Sequence, residues 1–285
     1  MGGLYALRAE YNQVMYPPLN DPITSAANAS VKRVRNVAAG KEPGVLLLEG
    51  ERLVRDALQA DLAIELLLVA SDRESLAKEL AEAGYWPLLV EPELLGRIGK
   101  LKSSDGVLAL GVAPLCAALE DEGELGSLLS ETPDALLLVV CGVTDPVNLG
   151  ALARSAEAAG ARAMVFVQGS GVSLWNPRTL RGSMGSVLRL PVFTAESAQQ
   201  AAALLTAHGV RIVRGATRGG ASYRTLDWQG AVALWVGGEV GEVSELEAQF
   251  ESVTIPMAAG AESLNVTVAS SLLLFAAART GAPDA

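Results

Sequence analysis

The chain is poor in the residues that most metal centres and disulfide scaffolds use. Of its 285 residues, Cys116 and Cys141 are the only cysteines and His208 is the only histidine. Two cysteines cannot build a disulfide framework. One histidine excludes multi-histidine metal sites and leaves little room for His-centred acid–base chemistry. Aromatics are 5% of the chain while hydrophobic residues are 50%, so Ala, Leu and Val carry the apolar content. That profile favours α/β layers over an all-β sandwich. A charged fraction of 19%, beside so much apolar residue, excludes global disorder. A membrane-spanning run is missing too: Val266 to Ala278 is the longest greasy stretch, and Thr267, Ser270 and Ser271 interrupt it before it could cross a bilayer. Arg8 and Glu10 stand where a secretory leader needs apolar residues, and Ala6 stands where a myristoylation signal wants Ser or Thr. Asn28-Ala29-Ser30 and Asn265-Val266-Thr267 match the glycosylation pattern only formally. The expectation is a cytoplasmic protein with no membrane contact and no metal.

Positive charge is the scarce sign. Net charge is −10, which argues against indiscriminate nucleic-acid binding. Residues 1–115 hold 12 Lys and Arg against 15 Asp and Glu; the remainder holds 10 against 17, and all ten of those cations are Arg. One basic stretch, Lys32, Arg33, Arg35 and Lys41, contains no acid. It reads either as a solvated helix face or as a local contact for a polyanion.

What is present is alternation of strands and helices. Residues 1–23, with Pro17, Pro18 and Pro22, read as an extension. From 24 to 113 the pattern predicts strands at Val45–Glu49, Ile64–Val69, Trp86–Val90 and Val107–Val112, with helices between them. Residues 114–134 are acidic, broken by Gly and Pro, and read as a linker, part of it helical. From 135 to 285 the continuous apolar runs Ala135–Cys141, Ala163–Val167 and Ala231–Val236 predict parallel strands buried on both faces. Helices are expected at Val147–Ala159, Ser197–Ala207 and Leu264–Ala278. The predicted organisation is therefore two α/β domains.

Gly169-Ser170-Gly171 follows a predicted strand and invites a dinucleotide-loop reading, but Leu174 fills the slot of the third glycine and Trp175-Asn176-Pro177 follows in place of a helix start. A Rossmann dehydrogenase is set aside on that ground. Three other segments carry more. In Asp145-Pro146-Val147-Asn148-Leu149-Gly150-Ala151-Leu152-Ala153-Arg154, Asp145 suits a helix N-cap and Pro146 the first helical position. Capping leaves Asn148 and Arg154 unexplained, polar groups in an Ala/Leu-rich helix at the carboxyl end of a parallel strand, where open α/β sheets hold ligands. In Leu234-Trp235-Val236-Gly237-Gly238-Glu239 a buried strand runs into glycines that permit close backbone approach, with Glu239 at its end. In Ile255-Pro256-Met257 through Ser263-Leu264-Asn265-Val266 a strand end and a Gly-containing loop open the last helix.

In this order the three segments resemble the three motifs of the SpoU (TrmH-like) family of RNA ribose methyltransferases, over Asp134 to Arg279. Residues 24–113 resemble the small ribosomal-protein-like RNA-binding domain that many members carry in front, through Leu48-Glu49-Gly50 and Ser103-Ser104-Asp105-Gly106-Val107-Leu108-Ala109. One departure is visible: Gly241 comes two residues after Glu239 where the family spaces its glycine three, and Glu242 occupies that slot.

The resemblance implies an α/β SPOUT fold with a C-terminal trefoil knot, homodimerisation through the catalytic domain, and methyl transfer from S-adenosylmethionine to a ribose 2′-hydroxyl in rRNA or tRNA. It places the cofactor on Gly237, Gly238, Ile255, Met257, Leu264 and Asn265. It gives Asn148, Arg154, Glu239, Ser263 and Asn265 to the catalytic site. The family assigns the arginine matching Arg154 to hydroxyl activation. An ordinary guanidinium is a poor base, so phosphate clamping and hydroxyl orientation stand as equal roles. RNA contacts are expected at Lys32, Arg33, Arg35, Lys41 and Arg52 in the first domain and at Arg178 and Arg181 in the second. The rival from another class is a non-catalytic RNA-binding protein on the same fold.

Overall fold

The computed structural model describes residues 19–99, 105–119, 122–169, 171–237 and 244–278. The expected extension therefore lies outside the described residues for 1–18, as do Ser103, Ser104, Gly238, Glu239, Gly241, Glu242 and Arg279. The chain divides into two compact units, one within residues 1–54 and 63–112, the other within 55–62 and 113–285.

The elements run in the order α1 (Ala29–Ala38), β1 (Val45–Glu49), α2 (Glu51–Gln59), β2 (Ile64–Ala70), α3 (Glu74–Glu82), β3 (Pro87–Val90), α4 (Pro92–Ile98) and β4 (Val107–Val112). The first unit's sheet has the order β1-β4-β2-β3, antiparallel at β1/β4 and β4/β2 and parallel at β2/β3. In α1 the side chain of Asn28 caps the helix by accepting from the Ser30 N–H at 2.8 Å. Val31, Val34 and Val37 fall on one face of that helix and are buried with Leu47, Leu68, Leu95, Leu108 and Leu110. The alternative face is left to Lys32 and Arg35, both exposed. Gly50, at φ +96°, turns the chain out of β1 and into α2, a backbone shape only glycine adopts readily.

The second unit continues with β5 (Ala117–Ala118), α5 (Glu122–Glu131), β6 (Leu136–Val140), α6 (Pro146–Ala158), β7 (Ala163–Val167), α7 (Pro177–Ser183), α8 (Ser186–Arg189), β8 (Val192–Ala195), α9 (Ala198–Ala207), β9 (Arg211–Ala216), β10 (Ala221–Ser222), β11 (Val232–Val236), β12 (Glu251–Thr254) and α10 (Val266–Ala277). Its eight strands are all parallel, in the order β10-β12-β9-β11-β6-β7-β8-β5. Every residue of β6 and β11 is buried, as expected for parallel strands covered on both faces. One face packs Leu137, Val139, Val165 and Trp235 with Leu205 of α9 and Leu125 of α5. The other is covered by α6 and α10.

The acidic stretch 114–134 is not a loose tether. It contributes the edge strand β5, paired with β8, and the helix α5, and it buries Leu119 and Leu125 completely. Leu128 and Leu129 pack against the same core, while Glu124 and Glu131 of the helix stay exposed.

Candidate functional site

The chain advances β6, β7, β8 in one direction, then returns to β9 on the far side, leaving β11 to fill the gap beside β6. This reversal is a topological switch point, and the carboxyl ends of strands flanking such a point form a crevice. The crevice here is a cavity of about 600 Å³. Gly215, Ala216 and Thr217 line it from the end of β9, Val236 and Gly237 from the end of β11, and Ile255 and Met257 from the segment after β12. Ser263, Leu264 and Asn265 line it from the approach to α10, and Asn148 from α6. Residues more than a hundred positions apart thus meet because parallel strands all deliver their loops to one edge.

Local chemistry fixes these groups. Asp145 caps α6, its side chain accepting from the Val147 N–H at 2.9 Å. Asn265 caps α10, accepting from the N–H groups of Thr267 at 2.8 Å and Val268 at 3.4 Å. Its amide reaches across to the Asn148 Oδ1 at 3.5 Å, and the Thr267 hydroxyl donates to the same oxygen at 3.2 Å. Further along, the hydroxyls of Ser155 and Ser271 lie 2.7 Å apart. A polar seam therefore locks α6 to α10 and sets Asn148 against Asn265.

At β11, the Trp235 indole N–H donates to Glu247 Oε1 at 3.1 Å. The Ser244 N–H and hydroxyl donate to Glu247 Oε2 at 3.1 and 2.9 Å. A Cβ on Gly237 would stand 2.5 Å from Glu247 Oε1. The strand end is thus bare backbone under a fixed carboxylate, with an apolar wall of Leu234, Ile255, Met257 and Leu264 alongside. Bare main chain for hydrogen bonds and apolar side chains for a flat ring are what an adenosine-bearing cofactor requires. Among the described residues, no group of three or more His, Cys, Asp or Glu side chains could hold a metal ion.

Of the expected site residues, Asn148, Gly237, Ile255, Met257, Ser263, Leu264 and Asn265 come together around this cavity. Gly238 and Glu239 lie outside the described residues. Arg154 is exposed on α6 and does not line the cavity. Arg178 and Arg181 are exposed on α7. In the first unit, Lys32, Arg35, Lys41 and Arg52 are exposed, but Arg33 is tied to Glu42 at 3.0 Å and to Glu65. The Glu65 and Glu42 hydrogen bonds raise its pKa above the ordinary value. Arg33 therefore holds two intramolecular carboxylate partners, whereas the sequence expectation gave it an RNA contact.

Arg214 and Glu247, the two charged residues among the described ones that line the cavity, had no sequence signal. Arg214 is brought there by register, standing beside Trp235 of β11 and Ser252 of β12.

Comparison with known proteins bears on this geometry. The SpoU rRNA Methylase family profile matches residues 135–275, and the MRM3-like substrate binding domain profile matches residues 28–109. The 23S rRNA (guanosine(2553)-2′-O)-methyltransferase RlmP of Bacillus subtilis is 29% identical over 258 residues, 89% of this chain and 97% of that protein. The 23S rRNA (guanosine-2′-O-)-methyltransferase RlmB of Xanthomonas axonopodis pv. citri is 33% identical, covering 77% of this chain and 90% of the relative. An AdoMet-bound rRNA methyltransferase from Sinorhizobium meliloti superposes with a TM-score of 0.75 at 28% identity, over 90% of this chain and 97% of that one. An RNA 2′-O ribose methyltransferase superposes with a TM-score of 0.71 at 31% identity, over 90% of this chain and 98% of that one. The cavity, its motif residues and these matches lead to one identification: the chain belongs to the SpoU rRNA methylase family.

Proposed function

We propose that the protein transfers a methyl group from S-adenosylmethionine to a ribose 2′-hydroxyl of rRNA, and that it does so in the cytoplasm as a homodimer. The observation that carries this reading is the gathering of Asn148, Gly237, Ile255, Met257 and the Ser263–Asn265 segment around one cavity at the sheet's switch point. The finer fold reading is a trefoil knot, supported by α10 packing back onto β9, β11 and α6 after the loop from β12. Residues 28–109 serve as the substrate-binding domain, with Lys32, Arg35, Lys41 and Arg52 on its exposed surface.

When bound, the cofactor supplies an activated sulfonium methyl, so the protein's task is to position the attacking oxygen and assist loss of its proton. Gly237 and Leu264 present main chain to the cofactor, and Ile255 and Met257 form the wall for its ring. Asn148, held by Asn265 and Thr267, orients polar groups at the mouth. Arg154, exposed and without a partner among the described residues, orients the ribose hydroxyl or clamps the adjoining phosphate. Glu239 and Ser263 complete the site. A net charge of −10 confines RNA attraction to these local cations and suppresses non-specific binding.

The test is methyl incorporation from labelled S-adenosylmethionine into rRNA from cells lacking the gene, with 2′-O-methyl mapping of the product. One new ribose methyl is expected, and Arg154→Ala should slow single-turnover transfer by about a hundredfold while sparing cofactor affinity. Label in no rRNA, or only in tRNA, overturns the substrate assignment.

A further inference from the structure

Arg214 lies in β9, a strand of the second unit's buried sheet, with its Nε shielded from solvent and without a hydrogen-bond partner among the described residues. It lines the 600 Å³ cavity. Glu247 shares that cavity, yet its two oxygens are already occupied by the Trp235 indole and by the Ser244 amide and hydroxyl. A guanidinium kept partly buried without an acceptor is costly, and such a group persists where a ligand supplies the missing charge. Apart from Glu247, no described residue that lines the cavity carries an anionic side chain.

We propose that Arg214 is a cofactor-positioning residue that binds the carboxylate of the cofactor's methionine portion. The proposal rests on the methyltransferase reading above and deepens it. S-adenosylmethionine carries two positive groups, the sulfonium and the ammonium, and a single carboxylate. A cavity meant for a cation would exclude an arginine unless that arginine faced the one negative end. A planar guanidinium also matches a carboxylate in two-point fashion, which fixes orientation as well as affinity. Arg214 therefore sets the direction in which the cofactor lies, carboxylate toward β9 and adenine toward the Ile255, Met257 and Leu264 wall.

The test separates the carboxylate from the rest of the cofactor. Calorimetric affinities are measured for the wild type and Arg214→Met with S-adenosylmethionine and with its decarboxylated form, which lacks only that group. Wild type should prefer the carboxylated ligand by about tenfold or more. Arg214→Met should lose that preference entirely, binding the decarboxylated form as well as the wild type does or better. Retained binding of the decarboxylated form shows that the variant is folded. An equal preference in both proteins, or an equal loss for both ligands, overturns the assignment of Arg214. Failure of the wild type to bind either ligand overturns the cofactor reading itself and the proposal with it.

Discussion

At the scale of single residues, the site depends on what is missing as much as on what is present. Gly237 ends a fully buried strand, and a Cβ there would press to 2.5 Å on Glu247 Oε1. That oxygen is not free to swing away, because Trp235 and Ser244 hold the carboxylate from both sides. Gly237→Val is expected to reduce S-adenosylmethionine affinity by about a hundredfold or more, the branched side chain filling space that ligand and carboxylate share. The fold should survive, since the rest of β11 keeps its parallel pairing to β6 and β9. The check is calorimetric titration beside a far-UV circular dichroism spectrum; unchanged affinity would remove Gly237 from the site. Gly237, Asn148 and Asn265 were legible because motifs preserve chain order and spacing. Arg214 was not, since its place depends on β9 lying between β12 and β11, and strand order is a three-dimensional fact that no spacing along the chain encodes; nor was Glu247, whose place depends on a turn after β11 that brings it back to Trp235.

At the scale of elements, long apolar runs were the most readable part. β6, β7, β11 and α6 fall within a residue or so of the expected bounds, because complete burial demands continuous apolar sequence. The failures are short pieces. α7 and α8 have seven and four residues, too few to show a helical period, and β9 carries Arg211 and Arg214 where a strand pattern wants apolar groups. The short α8 is held by tertiary contacts instead. Arg189, its last residue, donates to both carboxylate oxygens of Glu157 on α6, at 2.7 and 2.9 Å, and to the Met184 carbonyl at 3.2 Å. The Arg189 hydrogen bond holds the Glu157 pKa below the ordinary carboxylate value. A depressed pKa means that the pair's stabilisation is fully present above the unfolded glutamate's value of about 4.3 and is lost as pH falls through the lower folded value. Glu157→Gln should therefore lower the thermal midpoint by roughly 1–3 °C at pH 7, a modest figure because the pair is partly solvated. The gap between variant and wild type should shrink below about pH 4 and vanish in stronger acid. Melting curves across that range check it, and a gap that persists in acid would assign the effect to packing rather than charge.

At the scale of the whole molecule, one apolar surface has no partner among the described residues. Leu264, just ahead of the α10 cap, and Val268, Leu272 and Phe275 of α10, spaced four, four and three residues, are 38%, 49%, 41% and 58% exposed. Val147, 52% exposed, stands one residue before Asn148, which bonds Thr267 of the same helix. Scattered exposed apolar residues are ordinary, but five gathered on one helix and its neighbour mark a contact surface. The proposed occupant is a second copy of this chain, and the exposed position of Arg154 would give that pairing a function. Arg154 does not line the cavity of its own chain, so in a dimer built on α10 it would serve the cavity of the partner. Wild type should sediment at twice 29.5 kDa, and the double variant Leu272→Glu, Phe275→Glu should sediment as a monomer with an unchanged circular dichroism spectrum. These two positions are chosen because, unlike Leu264, they do not line the cavity. The stronger check uses two inactive chains. Arg154→Ala keeps an intact cofactor cavity, and Gly237→Val keeps an intact Arg154. Mixed and allowed to exchange, half of the dimers carry one chain of each kind, and each of these rebuilds one working site. Methyl transfer should return to roughly a quarter of the wild-type rate. Heterodimers that form and remain inactive would place Arg154 at the cavity of its own subunit.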